Sequence, residues 1–304
     1  MRAPCALLLL GVLGCANSLP RPQTGSEWNE FLRACRAGDQ RACYWKGSLE
    51  LSSGNTAQGV ELMVRACDAG VGMACNEVGF FHSEAKHGFK RDGARAVALW
   101  KRACEQGSKD GCDSWGTGLR DGVGGPIDLE GAVAAYERAC KLDDAAGCTN
   151  LGAALLRGAG TKANPARAEA LWRKVCAQEE IYRSCRLLGA ELVRGELIKP
   201  REEEEGLAVL RRACNLGRGD DCLEAALAMR DYGSKAESLR YLRTSCAWES
   251  TRGCRELGKV LSRDPAEDAQ EESRAVLQKA CERKDDESCK LLAPAAAEPP
   301  AAQP

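Results

Sequence analysis

Residues 129–152 read Leu-Glu-Gly-Ala-Val-Ala-Ala-Tyr-Glu-Arg-Ala-Cys, then Lys-Leu-Asp-Asp-Ala-Ala, then Gly-Cys-Thr-Asn-Leu-Gly. Cys140 and Cys148 stand eight apart in this stretch, with Ala139 before the first and Gly152 four after the second. The same device recurs as Cys35/Cys43, Cys67/Cys75, Cys104/Cys112, Cys176/Cys185, Cys214/Cys222, Cys246/Cys254 and Cys281/Cys289. Successive pairs follow at 32 to 38 residues. A period of that size marks a stacked helical-repeat array. Such an array is quasi-one-dimensional, so 304 residues need not imply two globular cores.

The periodicity predicts two helices per unit. An A helix starts around the second cysteine of each pair, and a B helix ends around the first cysteine of the next. The A helices are expected at 41–53, 73–86, 110–120, 146–157, 182–194, 220–231, 251–262 and 287–293. The B helices are expected at 26–36, 57–68, 93–105, 129–141, 166–177, 203–215, 236–247 and 270–282. Asn164-Pro165 and Asp264-Pro265 each offer an oxygen-bearing N-cap followed by proline at the first helical position. Ser234-Lys-Ala-Glu237 reads as a capping box.

Small residues occupy two further registers. Four after the second cysteine come Gly47, Gly79, Gly116, Gly152, Gly189, Ala226, Gly258 and Ala293. Eight before the first come Gly59, Ala96, Ala132, Ala168, Gly206, Ser238 and Ser273. Large apolar side chains stand four before the first cysteine: Phe31, Met63, Trp100, Tyr136, Trp172, Leu210, Leu242 and Leu277. A glycine inside a helix costs up to about 1 kcal/mol relative to alanine, so its recurrence implies close approach of a neighbouring helix. The large residues are expected to fill those gaps as core, which leaves no cofactor box among them.

Residues 1–15 have Arg2, an apolar run from Ala3 to Leu13, and Gly14-Cys15. The run is too short for a bilayer, where about 20 residues are needed, and fits a signal-peptide core. Val12-Leu13-Gly14-Cys15 resembles a lipobox, with Cys15 as the lipidated residue, although Leu13 stands where a small residue is usual. Cleavage after Ala16 is the competing route. Both leave sixteen cysteines in eight pairs, and with an export signal that parity implies an oxidising compartment and a disulfide framework. Zinc fits poorly, because no C-x-x-C occurs and only His82 and His87 could assist. Residues 16–25 read as a tether, 26–293 as the solenoid, and 294–304 as a disordered Ala/Pro/Gln tail. The net charge of −1, with charged residues at 29% and both signs interspersed, excludes a nucleic-acid surface.

The chain resembles the Sel-1-like repeat family, relatives of the tetratricopeptide repeats, and in particular a cysteine-rich secreted branch often labelled β-lactamases. The unit that carries the likeness best is Gly147-Cys-Thr-Asn-Leu-Gly152 through Gly158, Asn164, Ala168, Trp172 and Cys176. Val175 and the nine-residue Cys176/Cys185 spacing depart from the pattern, as does the longer loop around 198–205. The resemblance implies an all-α, α/α superhelical solenoid whose cysteines bridge locally between helices. It also implies protein or peptide binding on a concave face, by residues one and two after the second cysteine: Tyr44, Trp45, Asn76, Asn150, Arg186 and Arg255 among them. The implied place is the cell envelope, periplasmic or extracellular, as an outer-membrane lipoprotein held by its lipid alone. No metal or cofactor is expected. The enzymatic alternative, β-lactam binding or hydrolysis, rests on Ser83-Glu-Ala-Lys86, an S-x-x-K match lacking S-D-N and K-T-G partners. A purely structural envelope component is the third reading.

Overall fold

The computed structural model describes residues 25–178, 182–198, 200–217 and 219–292. The expected signal segment, Cys15, most of the tether and the tail lie outside them. The described residues form sixteen helices and no strand. The odd-numbered helices are the B helices: α1 (Gly25–Arg36), α3 (Thr56–Asp68), α5 (Gly93–Glu105), α7 (Leu129–Lys141), α9 (Pro165–Cys176), α11 (Glu203–Leu216), α13 (Lys235–Ala247) and α15 (Glu267–Glu282). The even-numbered are the A helices: α2 (Gln40–Ser52), α4 (Gly72–Glu84), α6 (Lys109–Arg120), α8 (Ala145–Arg157), α10 (Tyr182–Arg194), α12 (Gly219–Tyr232), α14 (Thr251–Leu261) and α16 (Asp286–Leu292). The chain divides into two compact units at Gly147/Cys148. Within each, helices pack on their chain neighbours and on the helix two along, as α4 does on α6 and α12 on α10 and α14.

Many of the helix starts are set by short-range chemistry at a fixed distance from a cysteine. Twelve residues before the first cysteine stand the B-helix N-caps Asp92, Asp128, Asn164 and Ser234, which accept from backbone N–H groups three residues on at 2.8, 2.8, 3.0 and 3.4 Å. Four before the second cysteine stand the A-helix caps Asp39, Ser108, Asp144, Ser250 and Asp285. Such caps satisfy N–H groups that the helix leaves unpaired. Burial pushes the Asp144 carboxyl above its ordinary range, opposed by the Gly147 N–H that it accepts at 2.6 Å. Asn164-Pro165 is the cap and first turn that the sequence announces.

Asp264-Pro265 is not. Here α15 begins at Glu267, three residues before the expected 270, and its N-cap position is Ala266 in an extended conformation. Asp264 instead accepts from Ala266 N at 3.0 Å, a local turn outside the helix. Two acids, Glu267 and Asp268, favour the positive end of the helix dipole and lengthen it at that end. The capping box is half made. Ser234 takes the Glu237 N–H, but the Glu237 carboxylate is claimed by Arg211 through two bonds of 3.1 Å.

The B-to-A links are mostly three residues long, and the middle one adopts a left-handed conformation. Glycine fills it at Gly38, Gly70 and Gly107, whereas Asp143, Glu249 and Lys284 adopt it with a side chain. Across these links run the disulfides Cys35–Cys43, Cys67–Cys75, Cys104–Cys112, Cys176–Cys185, Cys214–Cys222, Cys246–Cys254 and Cys281–Cys289. Cys140 and Cys148 are disulfide-bonded as well.

The A-to-B contact is apolar, and the two small-residue registers make it possible. A Cβ at Gly79 would lie 2.5 Å from Trp100 Nε1, one at Gly116 would lie 2.7 Å from the Tyr136 ring, and one at Gly189 2.8 Å from Leu210. Trp172, 1% exposed, packs on Gly152 in the same way. Each buried tryptophan also donates its indole N–H to an A-helix carbonyl, Trp100 to Asn76 at 3.2 Å and Trp172 to Thr149 at 3.1 Å. In the later repeats leucine replaces the tryptophan, and in the last two of them a serine eight before the cysteine makes the polar bond. Ser238 donates to Ala226 O at 2.7 Å and Ser273 to Gly258 O at 2.9 Å.

Two predictions test this frame. Non-reducing peptide mapping should recover each described Cys pair joined within itself, and a majority bridge between different pairs would contradict it. Each loop of about nine residues then restricts the unfolded chain by roughly 2.6 kcal/mol in the entropy model. Glycine substitutions should act in opposite senses at two sites. Gly79→Ala drives a methyl into Trp100 and should destabilise by about 1–3 kcal/mol despite better helix propensity. Lys284→Gly relieves a left-handed side chain and should raise stability by up to about 1 kcal/mol. Chemical denaturation of both variants reads the two signs.

Candidate functional site

On α8, α10 and α14, the residue after the second cysteine turns toward the repeat that follows. Thr149 Oγ1 lies 2.5 Å from Ser184 Oγ, Arg186 lies 3.1 Å from Asp221, and Arg255 lies 2.6 Å from Asp285 and 3.4 Å from Glu287. The register is therefore a seam, and its residues are consumed by stacking. Tyr44 is buried, as are Asn76 and, one position later, Asn150, each 6% exposed. Arg186 and Arg255 are half-buried in their ion pairs. Trp45 remains half-buried beside Tyr44, their rings 4.9 Å apart, and its indole N–H has no partner. The six expected contact residues are thus spread along successive A helices, and most lie inside the stack.

Apart from the buried Asn150, the positions that stay at least partly accessible are two, five and nine after the second cysteine. At Glu77, in the first of these registers, burial pushes the carboxyl above its ordinary range, with Asp110 adding to the effect and Lys86 opposing it. Between α10 and α12 these registers enclose a cleft of about 150 Å³. Ala190, Leu210, Leu227 and Ala228 form its floor, and Arg194, Glu196, Glu224 and Asp231 its charged rim. Arg194 stands 3.7 Å from Glu224 and 3.9 Å from Glu191. Neither separation is a hydrogen bond, since N–H···O bonds close at about 2.7–3.2 Å. Glu191 is 7% exposed, and its Oε2 has no partner. Burial raises its pKa, with Arg194 opposing and Glu196 adding to the shift.

The residues of the enzymatic alternative are engaged elsewhere. Ser83 lies in the last turn of α4 and donates to Phe80 O at 3.1 Å, while Lys86 lies past the helix end and pairs with Glu84. Left-handed Ala85 separates them. The His82 ring packs on Phe89 and the His87 ring on Phe81, each at 4.7 Å. No group of three metal-ligating side chains occurs among the described residues. None of the described helices is long and apolar enough to cross a membrane.

A further device was written in the sequence two residues before the first cysteine, where Arg33, Arg65, Arg102, Arg138, Lys174, Arg212 and Lys279 stand. Four of these side chains reach the C-terminal carbonyls of the preceding B helix. Arg102 donates to Cys67 O at 3.0 Å, Arg138 to Glu105 O at 3.3 Å, Arg212 to Ala177 O at 3.5 Å and Lys279 to Cys246 O at 3.4 Å. A cation at the negative end of a helix is stabilising, by about 0.3–1 kcal/mol when exposed. The repetition of the basic residue was the available signal.

Residues 34–71, 72–108 and 145–179 match the Sel1 repeat. No curated protein sequence matches the chain. Among solved structures, a Sel1 repeat protein from Oxalobacter formigenes superposes with a TM-score of 0.67 at 16% identity, over 78% of this chain and 98% of that one. A protective antigen of uropathogenic Escherichia coli strains, displaying an SLR fold, superposes at 0.64 with 18% identity over 88% of this chain. This chain spans 58% of that antigen's length. The likenesses concern the fold, and they agree with the cysteine-anchored registers: the chain carries Sel1 repeats at residues 34–108 and 145–179 within a Sel1-like repeat fold.

Proposed function

We propose that the chain is an exported scaffold that holds a protein or peptide partner on the exposed face of its A helices. One observation carries the reading. The interior registers repeat with little change, while the accessible A-helix registers between them vary freely in chemistry. Five after the second cysteine, for instance, stand Ser48, Phe80, Thr117, Ala153, Ala190, Leu227 and Lys259. A constant frame with varied contacts is how a solenoid diversifies its binding surface. Sel1 repeat folds typically mediate protein–protein interaction, and the repeated disulfides suit a non-reducing compartment outside the cytoplasm. Residues 1–15 would supply the export signal and Cys15 the lipid anchor of an outer-membrane lipoprotein.

Placement of a photo-crosslinking residue at Phe80, Thr117 or Leu227 in cells should trap a discrete protein partner. The same residue at Ala134 or Arg274, exposed positions on α7 and α15, should not. Equal trapping from both sets, or none from the A helices, would overturn the proposal. Mass spectrometry of the mature N-terminus tests the anchor, which fails if Asn17 is the first residue.

A further inference from the structure

We infer that the cleft between α10 and α12 is a slot for one lysine or arginine side chain of the partner polypeptide. The inference rests on the scaffold reading and gives its surface a specific ligand chemistry. Size limits the occupant. At about 150 Å³ the cleft is half of the roughly 300 Å³ at which drug-sized ligand pockets begin. It fits a single side chain and not a cofactor or small-molecule substrate.

Polarity selects among side chains. The floor of Ala190, Leu227 and Ala228 is apolar, and the rim carries three carboxylates, Glu196, Glu224 and Asp231, against one lining guanidinium, Arg194. A second guanidinium, Arg201, stacks 4.5 Å over the ring of the lining Tyr232 and is paired with Glu203. Arg230 neutralises Asp231 at 2.7 Å. That leaves Glu196 and Glu224 facing Arg194, with the buried Glu191 behind it. A long basic side chain matches this layout, because its methylene stem covers apolar surface while its charged head meets carboxylate.

The state of Arg194 points the same way. Its neighbours in the same unit close properly: Arg211 holds Glu237 at 3.1 Å and Arg243 holds Glu272 at 2.6 and 2.8 Å. Arg194 instead hovers at 3.7 and 3.9 Å between two carboxylates, with its side chain 46% exposed. It acts as a loose counterion in the place that a better-seated cation would take. A partner cation closing on Glu224 at ordinary distance would form a charge-assisted bond that Arg194 does not make.

The test uses the intact disulfide-bonded chain with methyl labels and capped peptides Gly-Ala-X-Ala-Gly, where X is Arg, Leu or Glu. The Arg peptide should shift the methyl signals of Leu227, Ala190 and Ala228 saturably, and added salt should weaken it. Glu224→Gln should weaken binding by about tenfold, the loss of one charge-assisted bond. Arg194→Ala should strengthen it, because the resident competitor is gone. Circular dichroism and melting temperature should be unchanged in both variants. The inference falls if the Leu peptide binds as well as Arg, if the Glu peptide binds and Arg194→Ala abolishes it, or if no peptide shifts these methyls. Under any of those results, photo-crosslinking from Phe80 and Thr117 still tests the scaffold reading separately.

Discussion

The seating of one large side chain in the gap left by one small residue holds each A helix from α2 to α14 to the B helix that follows. The small residue is a glycine on each of these helices except α12. At Gly79/Trp100 the fit is close enough that a single added carbon would collide with the indole. Truncation of such a buried side chain typically costs about 3–5 kcal/mol, so a stack of these contacts dominates any set of surface ion pairs. The close approach also brings the two backbones within reach of one another, and that is what lets an indole or a serine hydroxyl bond an A-helix carbonyl. Where leucine stands in place of tryptophan, Ser238 and Ser273 supply the missing donor. In those two repeats the polar bond persists although the residue that makes it changes.

The other half of each repeat is fastened differently. Between the end of a B helix and the start of the next A helix the buried contacts are made by small side chains, such as Ala42 with Cys35 and Ala74 with Ala66 and Cys67. Covalent and electrostatic devices take over there: a disulfide across the link, a capping oxygen for the A helix, and an Arg or Lys from the next B helix on the exposed carbonyls. In the second unit, Arg–carboxylate pairs join successive B helices at Arg211–Glu237 and Arg243–Glu272, and successive A helices at Arg186–Asp221 and Arg255–Asp285. Asp221 and Asp285 are little exposed in theirs, whereas the more exposed pairs, Arg211–Glu237 and Arg243–Glu272, contribute about 0–1 kcal/mol each. They specify register more than they hold the stack together.

How much of this could be read beforehand follows from what each feature depends on. The glycines and aromatics were legible because both partners lie at fixed distances from a cysteine, so one period of sequence contains the whole contact. The N-cap at Asn164 was legible for the same reason. Asp264 was not, because an aspartate before proline serves equally well to cap a helix or to close a turn before one. The seam residues failed for a different reason. Whether Arg186 faces solvent or Asp221 depends on a residue 35 positions on, and periodicity along one helix does not encode what the neighbouring repeat presents. The basic residues before the cysteines were visible as a pattern, yet a lone arginine on a polar helix face reads as solvated until the carbonyls beneath it are seen.

The same division decides where function can reside. Interior registers are fixed by packing and the seam residues by hydrogen bonds and ion pairs, so the remaining A-helix positions can change with the least loosening of the stack. Within those, a charge already satisfied at short range has little to offer a partner. Arg255 comes near this, held at 2.6 Å by Asp285 although its buried Nε has no hydrogen-bond partner. Arg194 is its opposite, held by nothing closer than 3.7 Å and set over an apolar floor. Both are arginines on A helices of one unit, and composition does not separate them. What separates them is that a carboxylate closes on Arg255 at hydrogen-bond distance and none does on Arg194, which is the property that a binding partner would exploit.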